Sequence, residues 1–126
     1  MTRALWLSLC LTLAATGLLA QEPNPYNGTW SGTYTTKKGE QRSVVLNLSD
    51  GGGTWKNHIR VRQDTCLGRE LPVTIARATA TQLAIRIHGS KFMPGCKDFG
   101  LKFSRTGENT FEGKMGKAGA LTFVRQ

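Results

Sequence analysis

Few residues in this chain are of types that do chemistry, and they are dispersed. His58, His88, Cys66, Cys96, Asp64 and Asp98 are the groups that could supply a base, a nucleophile or a metal ligand. General acid–base and nucleophilic catalysis need titratable groups held within hydrogen-bond reach of one another. No carboxylate pair and no Ser, His, Asp arrangement stands out, and both histidines fall on the polar parity of strand-like stretches. A structural zinc site wants short Cys or His spacings, and none is present. The expectation is therefore a protein that is not an enzyme and uses no metal and no cofactor. Of the three cysteines, Cys10 lies in the apolar stretch of the first twenty residues; what remains for the two of the mature chain is oxidation, and an even pair in an exported chain is expected to form a Cys66–Cys96 disulfide.

Export is written into the first residues. Arg3, the apolar stretch Ala4 to Leu13 and the exit Gly17, Leu18, Leu19, Ala20 precede the polar Gln21-Glu22-Pro23, which is the layout of a secretory signal peptide over residues 1–20. Ser8, Thr12 and Thr16 interrupt a run already shorter than the roughly 20 apolar residues of a membrane-spanning helix. Signal removal leaves no transmembrane segment, and the mature chain is expected to be secreted or periplasmic. It has 106 residues, enough for one core. With Arg3 gone, 16 Lys and Arg face 8 Asp and Glu, a net charge of +8. A field of that sign draws in polyanions.

Residues 21–27, with Pro23 and Pro25 and no periodicity, are expected to form an extended leader into a single domain over 28–126. From there period-two alternation takes over. Trp30 and Tyr34 mark a first strand, ended by the turn Lys37-Lys38-Gly39-Glu40; Val44, Leu46 and Leu48 mark a second, broken by Asp50-Gly51-Gly52-Gly53. Trp55, Ile59 and Val61 share one parity of the third, against Lys56, His58, Arg60 and Arg62 on the other. Leu71, Val73 and Ile75; Leu83, Ile85 and Ile87; Leu101 and Phe103; Phe111 and Met115; and Leu121 and Phe123 complete eight. No mature segment carries helical spacing, so the fold class is all-β. Eight strands in a meander solve the exposed-edge problem by closing into an antiparallel up-and-down barrel, with a β-sandwich as the alternative. The inward set is almost wholly apolar; Tyr34 and Asn57 are its polar members, and a filled interior is expected.

In such a barrel the connections 1–2, 3–4, 5–6 and 7–8 share one end, and both chain termini lie at the other. Cys66 and Cys96 fall in connections 3–4 and 5–6, so both thiols come to one end, as a disulfide requires. That end also gathers Lys37, Lys38, Arg69, Lys91, Lys97 and Lys117, diluted by Glu40, Asp64, Glu70 and Asp98. It holds the longest connection, Ser90 to Gly100, with Phe92 and Phe99 among the lysines. Long ordered loops on a rigid scaffold are where binding residues concentrate. The candidate partner-binding residues are accordingly Lys37, Lys38, Arg69, Lys91, Phe92, Lys97, Phe99 and Lys117. The outward face of the third strand is a second, weaker basic surface.

Gly28-Thr29-Trp30 resembles the G-x-W at the first strand of the calycin superfamily, the lipocalins, fatty-acid-binding proteins and avidins. There the Trp packs beneath a basic residue from the last strand, and Arg125 stands where that partner would be. The resemblance implies an eight-stranded barrel with Trp30 and Arg125 as a structural pair. The chain departs from the lipocalins in its shortness and from the biotin-binding branch in keeping just Trp30 and Trp55 after the signal.

Three functions follow as expectations. The first is a binding module whose basic, stapled end recognises an anionic envelope component or an acidic protein, with no specific nucleic acid. The second is a calycin-like carrier of a small apolar ligand. The third is an inhibitor or immunity protein against a secreted enzyme, with the 90–100 loop as its probe.

Overall fold

The computed structural model describes residues 24–58, 66, 68–116 and 119–126. Eight strands follow one another: β1 (Gly28–Thr35), β2 (Gln41–Ser49), β3 (Gly52–His58), β4 (Leu71–Ala78), β5 (Gln82–His88), β6 (Asp98–Gly107), β7 (Thr110–Lys114) and β8 (Ala120–Arg125), with one helical turn, α1 (Gly89–Phe92), between β5 and β6. Each strand pairs antiparallel with the next, and β8 returns to β1 to close the barrel. The expected up-and-down barrel is thus the fold, and the sandwich is ruled out by the β1–β8 ladder.

Turn chemistry sets the register. Asp50 and Gly51 both have positive φ, the backbone that a two-residue hairpin needs to match the strand twist. Ser49 therefore pairs directly with Gly52. The chain break is shorter than the glycine run suggested: Gly52 and Gly53 belong to β3. β4 also runs further than its apolar triplet, to Ala78, with a register shift between Ile75 and Arg77.

Alternation then does the packing. Val44, Leu46, Leu48, Leu71, Val73, Leu83, Ile85, Ile87, Leu101, Phe103, Leu121 and Phe123 are all buried, as period two requires. Ile59 and Val61 lie outside the described residues. Aromatic rings run through the interior as a continuous series. Trp30 meets Phe111 at 4.4 Å between centroids, Phe111 meets Phe103 at 5.1 Å, Phe103 meets Phe123 at 5.5 Å, Phe123 meets Trp55 at 5.9 Å and Trp55 meets Phe99 at 6.0 Å. Gly32 and Gly113 make room for it: a Cβ on Gly32 would sit 2.7 Å from the Phe123 ring, and one on Gly113 2.6 Å from that of Phe103.

At the end carrying the termini, the Arg125 guanidinium lies 4.2 Å from the Trp30 ring centroid and donates to the carbonyls of Asn27 and Pro25. Trp30 and Arg125 are directly paired in the β1–β8 ladder. Tyr26 differs from the sequence expectation. Placed by composition in an extended leader, it is fully buried, stacks edge-on to Phe111 and donates from its hydroxyl to the carbonyl of Thr79 at 2.8 Å. Residues Asn24–Asn27 turn and plug the barrel, with Asn27 N–H donating to Asn24 O at 3.1 Å.

Candidate functional site

The disulfide-bridged end is built around α1. β5 ends at His88 and the chain turns at once, because Gly89, buried against the Lys97 carbonyl, leaves no space for a side chain. Ser90 then donates twice to one Asp98 oxygen, from its backbone N–H at 2.9 Å and its hydroxyl at 2.8 Å. Those two bonds, the backbone one foremost, hold the Asp98 carboxyl below its usual range. Cys96 is buried and bonds Cys66 across a Cα–Cα separation of 5.5 Å, so the connection is tied down on both flanks. The pairing inferred from the cysteine positions is the one observed.

This clamp has one consequence for the surface. Lys91, Phe92 and Met93 are turned outward, with Phe92 41% and Met93 38% exposed. Along with Val124 at the far end of the barrel, these are the exposed large apolar side chains among the described residues. The Arg69 guanidinium reaches over the Phe92 ring at 5.8 Å, and Lys91 and Lys97 are both exposed. Among the described residues the one ion pair is Arg42–Glu40 at 3.6 Å, and Asp98 is occupied by Ser90. Lys37, Lys38, Arg69, Lys91 and Lys97 carry their charge without a carboxylate partner among the described residues. Lys37 and Lys38 sit exposed in the β1–β2 turn of the same end.

One of the sequence candidates separates from this group. Phe99 belongs to the interior: β6 begins at Asp98, Phe99 pairs with Ile87, and its ring packs half-buried against Trp55. The connection is shorter than 90–100 for that reason. Lys117 lies outside the described residues, as do Asp64, Arg60 and Arg62. On the outer face of the sheet His58 is exposed, and His88 shares a hydrogen bond of 2.8 Å with the Thr74 hydroxyl. Met93 was not among the candidates, and its place beside Phe92 in an otherwise basic loop was the available signal. Among the described residues no group of three His, Cys, Asp or Glu could hold a metal ion.

Inside the barrel, one polar side chain stands apart. Asn57 is 1% exposed, and neither its Oδ1 nor its Nδ2 has a hydrogen-bond partner. The indole N–H of Trp55, two residues earlier on the same inward face, is likewise unpaired.

Among solved structures the chain is similar to a redesigned beta barrel, with 16% identity and a TM-score of 0.49 over 81% of this chain and 92% of that one. No protein-family model and no curated protein matches it. No helix among the described residues is long and apolar enough to cross a membrane.

Proposed function

We propose that this protein is an exported binding module whose disulfide-bridged end docks on an anionic envelope component. The observation that carries the reading is the exposure of Phe92 and Met93 amid Arg69, Lys91 and Lys97, with no carboxylate answering those cations among the described residues. Cations supply long-range attraction, and two apolar side chains supply contact area once the surfaces meet. The disulfide suits an oxidising compartment and holds α1 in place, so little ordering cost is left to the moment of binding. We read the scaffold itself as calycin-like on the strength of Gly28-Thr29-Trp30 and the guanidinium stacked on its indole.

The test is co-sedimentation of the mature, oxidised protein with phosphatidylglycerol-containing vesicles, with pure phosphatidylcholine vesicles as control. Each basic side chain near an acidic surface is worth about 1 kcal/mol, so reversing both Lys91 and Lys97 to Glu should weaken binding by roughly 30-fold or more. Raising the salt to about 0.5 M should do the same to the unaltered protein. Undiminished binding by the K91E/K97E protein would remove the proposal. Capture by an acidic protein, with no affinity for either vesicle, would replace the envelope component by a protein partner.

A further inference from the structure

The interior polar atoms of β3 point to a second site, independent of the basic end. Buried carboxamides in folded proteins are hydrogen-bonded almost without exception, because an unpaired one has given up water and gained nothing. This barrel follows that rule elsewhere. The other buried indole, Trp30, donates its Nε1–H to the Tyr26 carbonyl at 2.8 Å, and even the half-buried Asn47 bonds the hydroxyls of Thr29 and Thr54. Asn57 breaks it with both polar atoms, and Trp55 with its indole N–H. A leucine at position 57 would satisfy the same inward parity at no polar cost. An asparagine there weakens the fold unless something bonds to it.

Its position supplies a second argument. Among the described residues the β3–β4 ladder covers Gly52–Trp55 and ends at the Trp55–Leu71 pair. On the other side, β3 stays paired with β2 through Asn57–Val44 and on to His58–Ser43. Asn57 therefore lies two residues past the point where β4 leaves it, at the disulfide end, where the wall beside it is laddered on one side among the described residues. The interior around this level is apolar and aromatic, with Val44 across from Asn57 and Phe99 and Phe123 against Trp55.

The atoms define the chemistry of a complement. Asn57 offers one acceptor and two donors, and Trp55 offers one donor. A neutral carboxamide matches this set: its carbonyl accepts from Asn57 Nδ2 or Trp55 Nε1, while its N–H donates to Asn57 Oδ1. A carboxylate has no proton for Oδ1 and would carry its charge into an apolar interior. A plain hydrocarbon leaves all three atoms as they are. We propose that Asn57 and Trp55 bind a small neutral molecule with a carboxamide head and an apolar remainder, held at the β3–β4 seam.

The experiment is a 1H–15N NMR titration of the oxidised mature protein with hexanamide, using hexanoate at pH 8 and hexane as controls. The side-chain amide of Asn57 and the indole of Trp55 give separate signals, and the indole of Trp30, already bonded to Tyr26, is an internal reference. Expected are saturable shifts of the Asn57 and Trp55 signals with hexanamide, a Trp30 signal that stays in place, and no response to either control. Affinity should fall about tenfold or more in Asn57→Leu, which keeps the interior packed. Asn57→Ala serves the same comparison should the leucine variant fail to fold. Unmoved Asn57 and Trp55 signals, or an equal response to hexane, would overturn the proposal. So would a long-lived internal water, seen by exchange cross-peaks to these protons, that hexanamide does not displace.

Discussion

Arg125 shows how much one side chain can hold together. Its guanidinium stacks on Trp30 and donates to the carbonyls of Pro25 and Asn27, joining the last strand to the turn that brings in Tyr26. A cation–π contact is worth roughly 0.5 to 2 kcal/mol and a charge-assisted hydrogen bond about 1.5 to 3. Arg125→Met should cost about 2 to 4 kcal/mol in urea unfolding, with Arg125→Lys in between because it keeps the charge and loses the planar fork. A loss under about 0.5 kcal/mol would mean that the turn at Asn24–Asn27 holds itself. Of this unit, the sequence made Trp30 and Arg125 legible through a short motif. Tyr26 was not legible, since a tyrosine beside Pro25 in an aperiodic stretch carries no sign of its partner Thr79, 53 residues away.

At the scale of the element, α1 is a single turn that could not persist alone: nucleating a helix costs more than four residues return. Ser90 and Asp98 supply what the turn lacks. Because the folded Asp98 carboxyl sits below the usual carboxylate value, 3.8, its contribution is fully present above that range. It is lost as pH falls through the depressed folded value. The Ser90 amide signal should therefore shift with a midpoint below the ordinary one, and Asp98→Ala should abolish the shift. A midpoint at or above the ordinary value would contradict the clamp. Elements with strict alternation were legible to within a residue or two, β2 and β5 above all. Phe99 was misplaced because loop-like neighbours, Pro94-Gly95 and Lys97-Asp98, mask a strand that starts through its pairing with β5.

For the whole molecule, closure and the disulfide act together. The Cys66–Cys96 bond spans 30 residues, a loop whose closure is worth roughly 3 to 4 kcal/mol in the chain-entropy model. A domain of this size has about 5 to 15 kcal/mol in total. Replacing both cysteines by serine should lower the unfolding free energy by about that amount and leave the strand signature in circular dichroism intact at low temperature. A change under about 1 kcal/mol would show that the barrel restrains its own unfolded chain.

The sequence by itself determined the strand parities, the apolar set, the number of strands and, through the odd–even rule for connections, that both cysteines meet at one end. These depend on local properties: a pleated backbone alternates its side chains whatever it pairs with, and a tight turn sends the chain back. Tertiary structure alone decided that Tyr26 enters the core, that Phe99 turns in while Phe92 and Met93 turn out, and that Asn57 stands buried without a partner. Each of those outcomes depends on what lies opposite across a closed barrel. That is set by register and by the point where two strands part, neither of which any single stretch of residues encodes.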